Sequence, residues 1–126
     1  LPMNLLDGAL ERVDGQARFR APGLIIDLPP TVAGLSSVSS AVTLGVRPEW
    51  MRLAPRQPPG IELNAVVELV QPIGERVDLV CMLGEQRVVA RVQAEHVPPA
   101  GATVTLHVNA ADVCLFEPGA EGALLS

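Results

Sequence analysis

The chain has 126 residues, enough for one domain or for two small intertwined β lobes that share a core. Its apolar fraction of 48% is that of a globular protein and excludes a disordered one. The net charge is −5 and all nine basic residues are arginines, scattered from Arg12 to Arg91, so the clustered cations that a nucleic-acid backbone requires are not supplied.

Hydrophobicity along the chain has a period of two. Ala9, Glu11 and Val13 alternate with Leu10 and Arg12 up to an Asp14-Gly15 turn. Ala17, Phe19 and Ala21 then face one way while Arg18 and Arg20 face the other. This predicts a hairpin of two half-buried strands. Leu24 to Leu28 predicts a third strand, ended by Pro29-Pro30. Residues 29–40, rich in Pro, Ser and Gly, read as a linker. Val42 to Val46 predicts a strand that cannot continue regularly through Pro48, and Pro48 to Arg52 predicts one helical turn with proline at its first position.

A second linker, 54–60, precedes the longest β signal. There Ile61, Leu63, Ala65, Val67 and Leu69 alternate with Glu62, Asn64, Val66, Glu68 and Val70, and Pro72-Ile73-Gly74 breaks the run. Strands are predicted at Val77–Leu83, Arg87–Val92, Val104–Val108 and Val113–Phe116. Gly84-Glu85, Pro98 to Gly101 and a polar bend at Asn109–Asp112 separate them. About nine short strands and no long helix predict an all-β fold, a small barrel or sandwich of short antiparallel strands. Ile61 to Phe116 alone counts five strands, as in an OB-type Greek-key barrel. The expected organisation is a single region, 1–126, in which strands within 8–28 and 41–46 pack with an OB-like core at 61–117.

No chemistry of catalysis is legible. The chain contains no lysine, so a P-loop is excluded, and no GxSxG nucleophile elbow is present. Ser36, Ser37, Ser39 and Ser40 lie in the first linker without a His or acidic partner nearby. Cys81 and Cys114 sit inside apolar runs without CxxC spacing and read as buried, reduced and structural. His96 and His107 read as surface histidines, and the two histidines, two cysteines and distant carboxylates do not make a metal set. Glu75 and Asp78 read as solvated residues flanking a hairpin. No catalytic, cofactor-binding or metal residue is therefore expected in this chain. No apolar stretch reaches the roughly 18 residues that span a bilayer, and Leu1 to Asn4 lack the basic and apolar regions of a signal peptide.

Four landmarks stand in order: Pro2-Met3-Asn4-Leu5-Leu6 with Gly8; Leu44-Gly45-Val46-Arg47-Pro48-Glu49; Val67 to Glu75; and Pro99-Ala100-Gly101 through Leu115-Phe116. Together they resemble the C-terminal region of ATP-binding subunits of carbohydrate-type ABC importers, the maltose, trehalose and glycerol-3-phosphate group. That region holds the transport-associated OB domain, abbreviated TOBE. Leu5 stands where the family has Phe, and Arg76 where it has a small or polar residue. The S-A-R-N type segment of the related molybdate-binding domains is absent.

The resemblance implies an OB-like, non-catalytic accessory domain that provides dimerisation and regulatory contacts, with Leu1 falling where the ATPase domain ends. ATP and Mg would be bound by the N-terminal part of the parent, not here. The implied partners are a second copy of the chain, permease subunits reached through the parent, and a cytoplasmic regulatory protein. Neither nucleic acid nor direct membrane insertion is implied, and the location is cytoplasmic, peripheral on the inner face of the cell membrane. The alternative is an OB-type domain that senses a small ligand, an oxyanion or a sugar. The candidate structural or interface residues are Gly45, Arg47, Pro48, Glu49, Gly74 and Glu75. Gly45 allows close backbone approach or a bulge, Pro48 ends the ladder, and Arg47 can pair with a carboxylate or cap free carbonyls.

Overall fold

A computed structural model of the chain describes residues 3–28, 40–53, 60–93 and 97–116. Most of both predicted linkers and His96 lie outside the described residues, although Ser40 and Gly60 themselves begin strands. The chain forms β1 (Asn4–Val13), β2 (Gln16–Ala21), β3 (Leu24–Leu28), β4 (Ser40–Val46), β5 (Gly60–Ile73), β6 (Arg76–Leu83), β7 (Gln86–Gln93), β8 (Thr103–Asn109) and β9 (Cys114–Phe116). Short 3-10 turns occupy Pro48–Trp50 and Ala110–Asp112. Two antiparallel sheets result, of order β3-β2-β1-β4-β9 and β7-β6-β5-β8.

The turn chemistry is local. Asp14 (φ 53°) and Gly15 (φ 80°) both adopt the left-handed region, as a two-residue hairpin with the twist of its strands requires. After it β2 alternates as its sequence predicts, burying Ala17, Phe19 and Ala21, whereas Val13 at the end of β1 is exposed. Inward-facing Leu6, Phe19, Ile26, Leu28, Val42 and Leu44 of the first sheet pack with Leu63, Val67, Leu79, Ala90 and Leu106 of the second in one continuous core.

Three features depart from the expected pattern. β9 does not complete the five strands counted from Ile61; it pairs with β4, placing Leu115 opposite Leu44. β5 runs through Pro72 to Ile73, with Pro72 opposite Val77. β8 flanks β5 only from Gly60 to Val66, so Pro72 lies on an edge stretch, where a sheet tolerates a residue without an N–H. Finally, the register of β5 against β6 shifts between Val67 and Leu69. This bulge inverts the alternation: Val67 is buried, whereas Leu69 is 47% exposed and Val70 turns toward the core.

Candidate functional site

Three of the four sequence landmarks converge on one seam. β1 pairs with β4 so that Asn4 lies opposite Val46, Leu5 opposite Gly45 and Leu6 opposite Leu44. On its other side β4 carries β9, with Cys114 opposite Gly45. Gly45 is buried, and a Cβ there would stand 2.5 Å from Met3 Sδ and 2.8 Å from Phe116 Cε2. The close approach at Gly45 is thus made by side chains from the first and last landmarks rather than by the backbone expected there.

Past β4 the chain cannot stay in the ladder, and Pro48 opens a 3-10 turn. Trp50 N–H donates to Arg47 O at 3.0 Å, and Met51 N–H to Pro48 O at 3.3 Å. Pro48 is buried, whereas Arg47 and Glu49 are exposed. The Arg47 guanidinium lies over the Trp50 ring, 5.6 Å from its centroid, a cation–π contact in place of the carboxylate or carbonyl partner that the sequence suggested. The turn packs against β7. Two residues on, Arg52 and His107 exchange backbone hydrogen bonds of 2.9 and 2.7 Å, which ties the same segment to β8. β7 and β8 are the two edges of the second sheet, so one short stretch covers both edges.

β1 approaches β7 through side chains. β2 pairs with β1 only from Ala9 onward, which leaves the first residues of β1 without that neighbour. In the gap, Asn4 Nδ2 donates to Val89 O at 2.8 Å while Val89 N–H donates to Asn4 Oδ1 at 2.9 Å. Three residues further along each strand the roles reverse. Gln86 Nε2 donates to Asp7 O and Asp7 N–H to Gln86 Oε1, both at 2.9 Å. Asn4 Nδ2 also lies 3.4 Å from the sulfur of buried Met51. Asn4 lies within the first landmark and Gln86 in none, and a lone amide beside a strand carries no signal in the sequence of its partner.

Gly74 and Glu75 stand apart from this seam, at the two-residue β5–β6 turn. Gly74 has a φ of 63°, and nothing lies within 4 Å of where its Cβ would be. On the outer face of the second sheet, Val66 (46% exposed) lies opposite Met82, and Leu69 opposite Val80. Glu68 at the bulge accepts from Arg87 Nε at 3.0 Å. Further along, Asp78 is 4% exposed and pairs at 3.1 Å with Arg91, its cross-strand partner. Asp78 is therefore a buried ion-pair member rather than the solvated hairpin residue expected.

The remaining groups are chemically quiet. Arg18 pairs with Asp27 at 2.9 Å and Arg20 with Glu11 at 2.8 Å on the first sheet. The Arg20 hydrogen bond holds Glu11 below the usual carboxylate range. Cys81 is fully buried, and burial pushes its thiol up to about 11, far from a nucleophile's range. Cys114 is free and half-buried. His107 is half-buried, with Nδ1 3.9 Å from Glu62. Among the described residues no three His, Cys, Asp or Glu side chains are grouped to hold a metal. No helix there is long and apolar enough to cross a membrane.

The fold as a whole is similar to that of the cytoplasmic molybdate-binding protein ModG in its molybdate-bound crystal form. The TM-score is 0.66 and the identity 16%, covering 91% of this chain and 96% of that one. In sequence the chain is 38% identical over 77 residues to the sn-glycerol-3-phosphate import ATP-binding protein UgpC of Pectobacterium atrosepticum, covering 61% of this chain and 21% of the relative. It is 31% identical over 115 residues to UgpC of Salmonella paratyphi A, covering 91% of this chain and 31% of the relative. The chain thus spans about a third or less of the curated relatives it matches. A family model described as the TOBE domain matches residues 44–116, from the middle of β4 to the end of β9. That match takes in the seam segment after β4 and the whole second sheet, and the chain belongs to the TOBE domain family, a non-catalytic module of ABC ATPases.

Proposed function

We propose that this chain is the C-terminal accessory domain of a bacterial ABC importer's ATP-binding subunit. It provides dimerisation and regulatory contacts while the parent protein hydrolyses ATP to drive uptake of a sugar or sugar phosphate. The observation that carries this reading is the likeness to the UgpC proteins across 91% of the chain, together with the TOBE match. In this reading ATP and Mg belong to the N-terminal part of the parent, and permease subunits are reached through it. The location is cytoplasmic, peripheral on the inner face of the cell membrane. The apolar outer face around Val66 and Leu69 supports self-association, since apolar side chains gathered on one sheet face are the usual mark of a protein contact.

Two measurements test the reading. The parent subunit, reconstituted with its permease in vesicles, should take up a sugar or glycerol phosphate only when ATP is supplied; ATP-independent or absent uptake would overturn the importer assignment. In sedimentation the protein should dimerise with rising concentration, and Leu69→Asp should weaken the dimer at least about tenfold by burying a charge. A monomer at every concentration would remove dimerisation from the proposal.

A further inference from the structure

We infer that the amides of Asn4 and Gln86 form a releasable lock that fixes the point where the chain enters the domain onto the edge of the second sheet. Displacement of the preceding polypeptide then moves that sheet as one body with β1. The inference rests on the accessory-domain reading for what lies upstream. The lock itself rests on geometry.

Asp7 of β1 and Val89 of β7 each turn a backbone N–H and C=O toward the gap between the sheets, and neither pair is met by another backbone. Each is met by one side-chain amide that donates and accepts at once. The two contacts run in antiparallel sense, Asn4 to Val89 and Asp7 to Gln86, so neither strand can slide past the other without losing both. The first described residues are held from further sides as well. Asn4 pairs through its backbone with Val46 and through its side chain with the Met51 sulfur, and Met3 packs beside Gly45.

A lock built from side chains differs from a backbone ladder in how it opens. Rotating two amides away breaks the hydrogen bonds between β1 and β7, while the β1–β4 and β6–β7 ladders keep every backbone bond. These polar ties can therefore be released without unfolding either sheet, leaving the shared core in place. A carboxamide carries a donor and an acceptor on one carbon and so meets the N–H and C=O of a single residue together; an aliphatic side chain of similar size offers neither. Asn4→Leu and Gln86→Met remove donor and acceptor together and should thus open the lock with little change in side-chain volume.

The test uses the full-length subunit in its reconstituted transporter. In the Asn4→Leu, Gln86→Met double variant, the Asp7 and Val89 amides should exchange with solvent about tenfold faster or more, as expected when the hydrogen bond holding each N–H is lost. Amides of β2 and β6 should keep their protection. Solute uptake per ATP hydrolysed should fall several-fold with hydrolysis itself within about twofold of the wild type, because the preceding part is untouched. Val42→Ala, which loosens the core without touching the lock, serves as the control and should leave uptake per ATP unchanged. Unaltered exchange at Asp7 and Val89 overturns the lock. Faster exchange with unchanged coupling, or a Val42→Ala variant that uncouples equally, overturns its role in transmission. A wild-type complex without ATP-driven uptake sinks the importer reading instead, and the exchange measurement still decides whether the lock exists.

Discussion

Gly23 and Gly84 meet where the β2–β3 turn passes over the β6–β7 turn, so that the two sheets touch backbone to backbone. A Cβ on Gly84 would lie 2.6 Å from Pro22 O and 2.8 Å from Gly23 C, and Gly84 holds a φ of 60°. Gly84→Ala meets both a conformational cost and a clash with backbone that cannot rotate aside. It should lower stability by about 2–4 kcal/mol. Gly15→Ala has a similar φ but open space around it and should cost only about 1 kcal/mol. Urea midpoints of the two variants check the difference, and equal losses would mean that the inter-sheet approach is unimportant.

The thiol of Cys81 makes stability depend on pH in an uncluttered window. Its proton is held in the folded state up to about pH 11, whereas an unburied thiol releases it near 9.0. Above pH 9 the unfolded chain therefore gives up a proton that the folded chain keeps, and stability is lost as pH rises toward 11. The loss should approach about 2–3 kcal/mol. The chain has no lysine and no tyrosine, so few other side chains titrate there. Chemical denaturation between pH 8 and pH 11 should show this slope in the wild type and a flatter one in Cys81→Ala.

Asp78 and Arg91 form a pair in which each partner is worth keeping only while the other is present. Side-chain exposures of 6% for Asp78 and 19% for Arg91 leave little water to screen a lone charge. Asp78→Ala should cost about 2 kcal/mol or more, while the double replacement Asp78→Leu, Arg91→Met should recover most of that loss. A double-mutant cycle by thermal unfolding measures the coupling, and strictly additive losses would contradict it.

Trp50, the sole tryptophan, reports directly on the turn after β4. With the guanidinium of Arg47 over its ring, Arg47→Gln should shift Trp50 emission and cost less than about 1 kcal/mol, the usual worth of an exposed cation–π contact. An unchanged spectrum would mean that Arg47 does not rest on the ring in solution.

Strand positions and turns were legible from sequence because alternation, Asp-Gly and Pro are local signals: Ala17, Phe19 and Ala21 face inward as their spacing says. The phase of Leu69 was not legible, because the bulge that inverts it is set by the register with β6 rather than by any residue near it. The same holds for Asp78, whose burial depends on Arg91 across the strand, and for Asn4, whose partner lies 85 positions away. Within the seam, Gly45 and Pro48 announced themselves through backbone restriction. Arg47 announced only a charge, and its aromatic partner three residues on was not inferred.

The pairing of Leu115 with Leu44 has a bearing on how the protein is made. The edge of β4 is covered by a strand made only after β5 to β8, so β4 presents an unpaired edge until that segment has left the ribosome. Folding must wait for a contact between distant parts of the chain, which places it among the slower small domains. A nascent chain arrested before Cys114 would expose the very edge that the finished protein conceals.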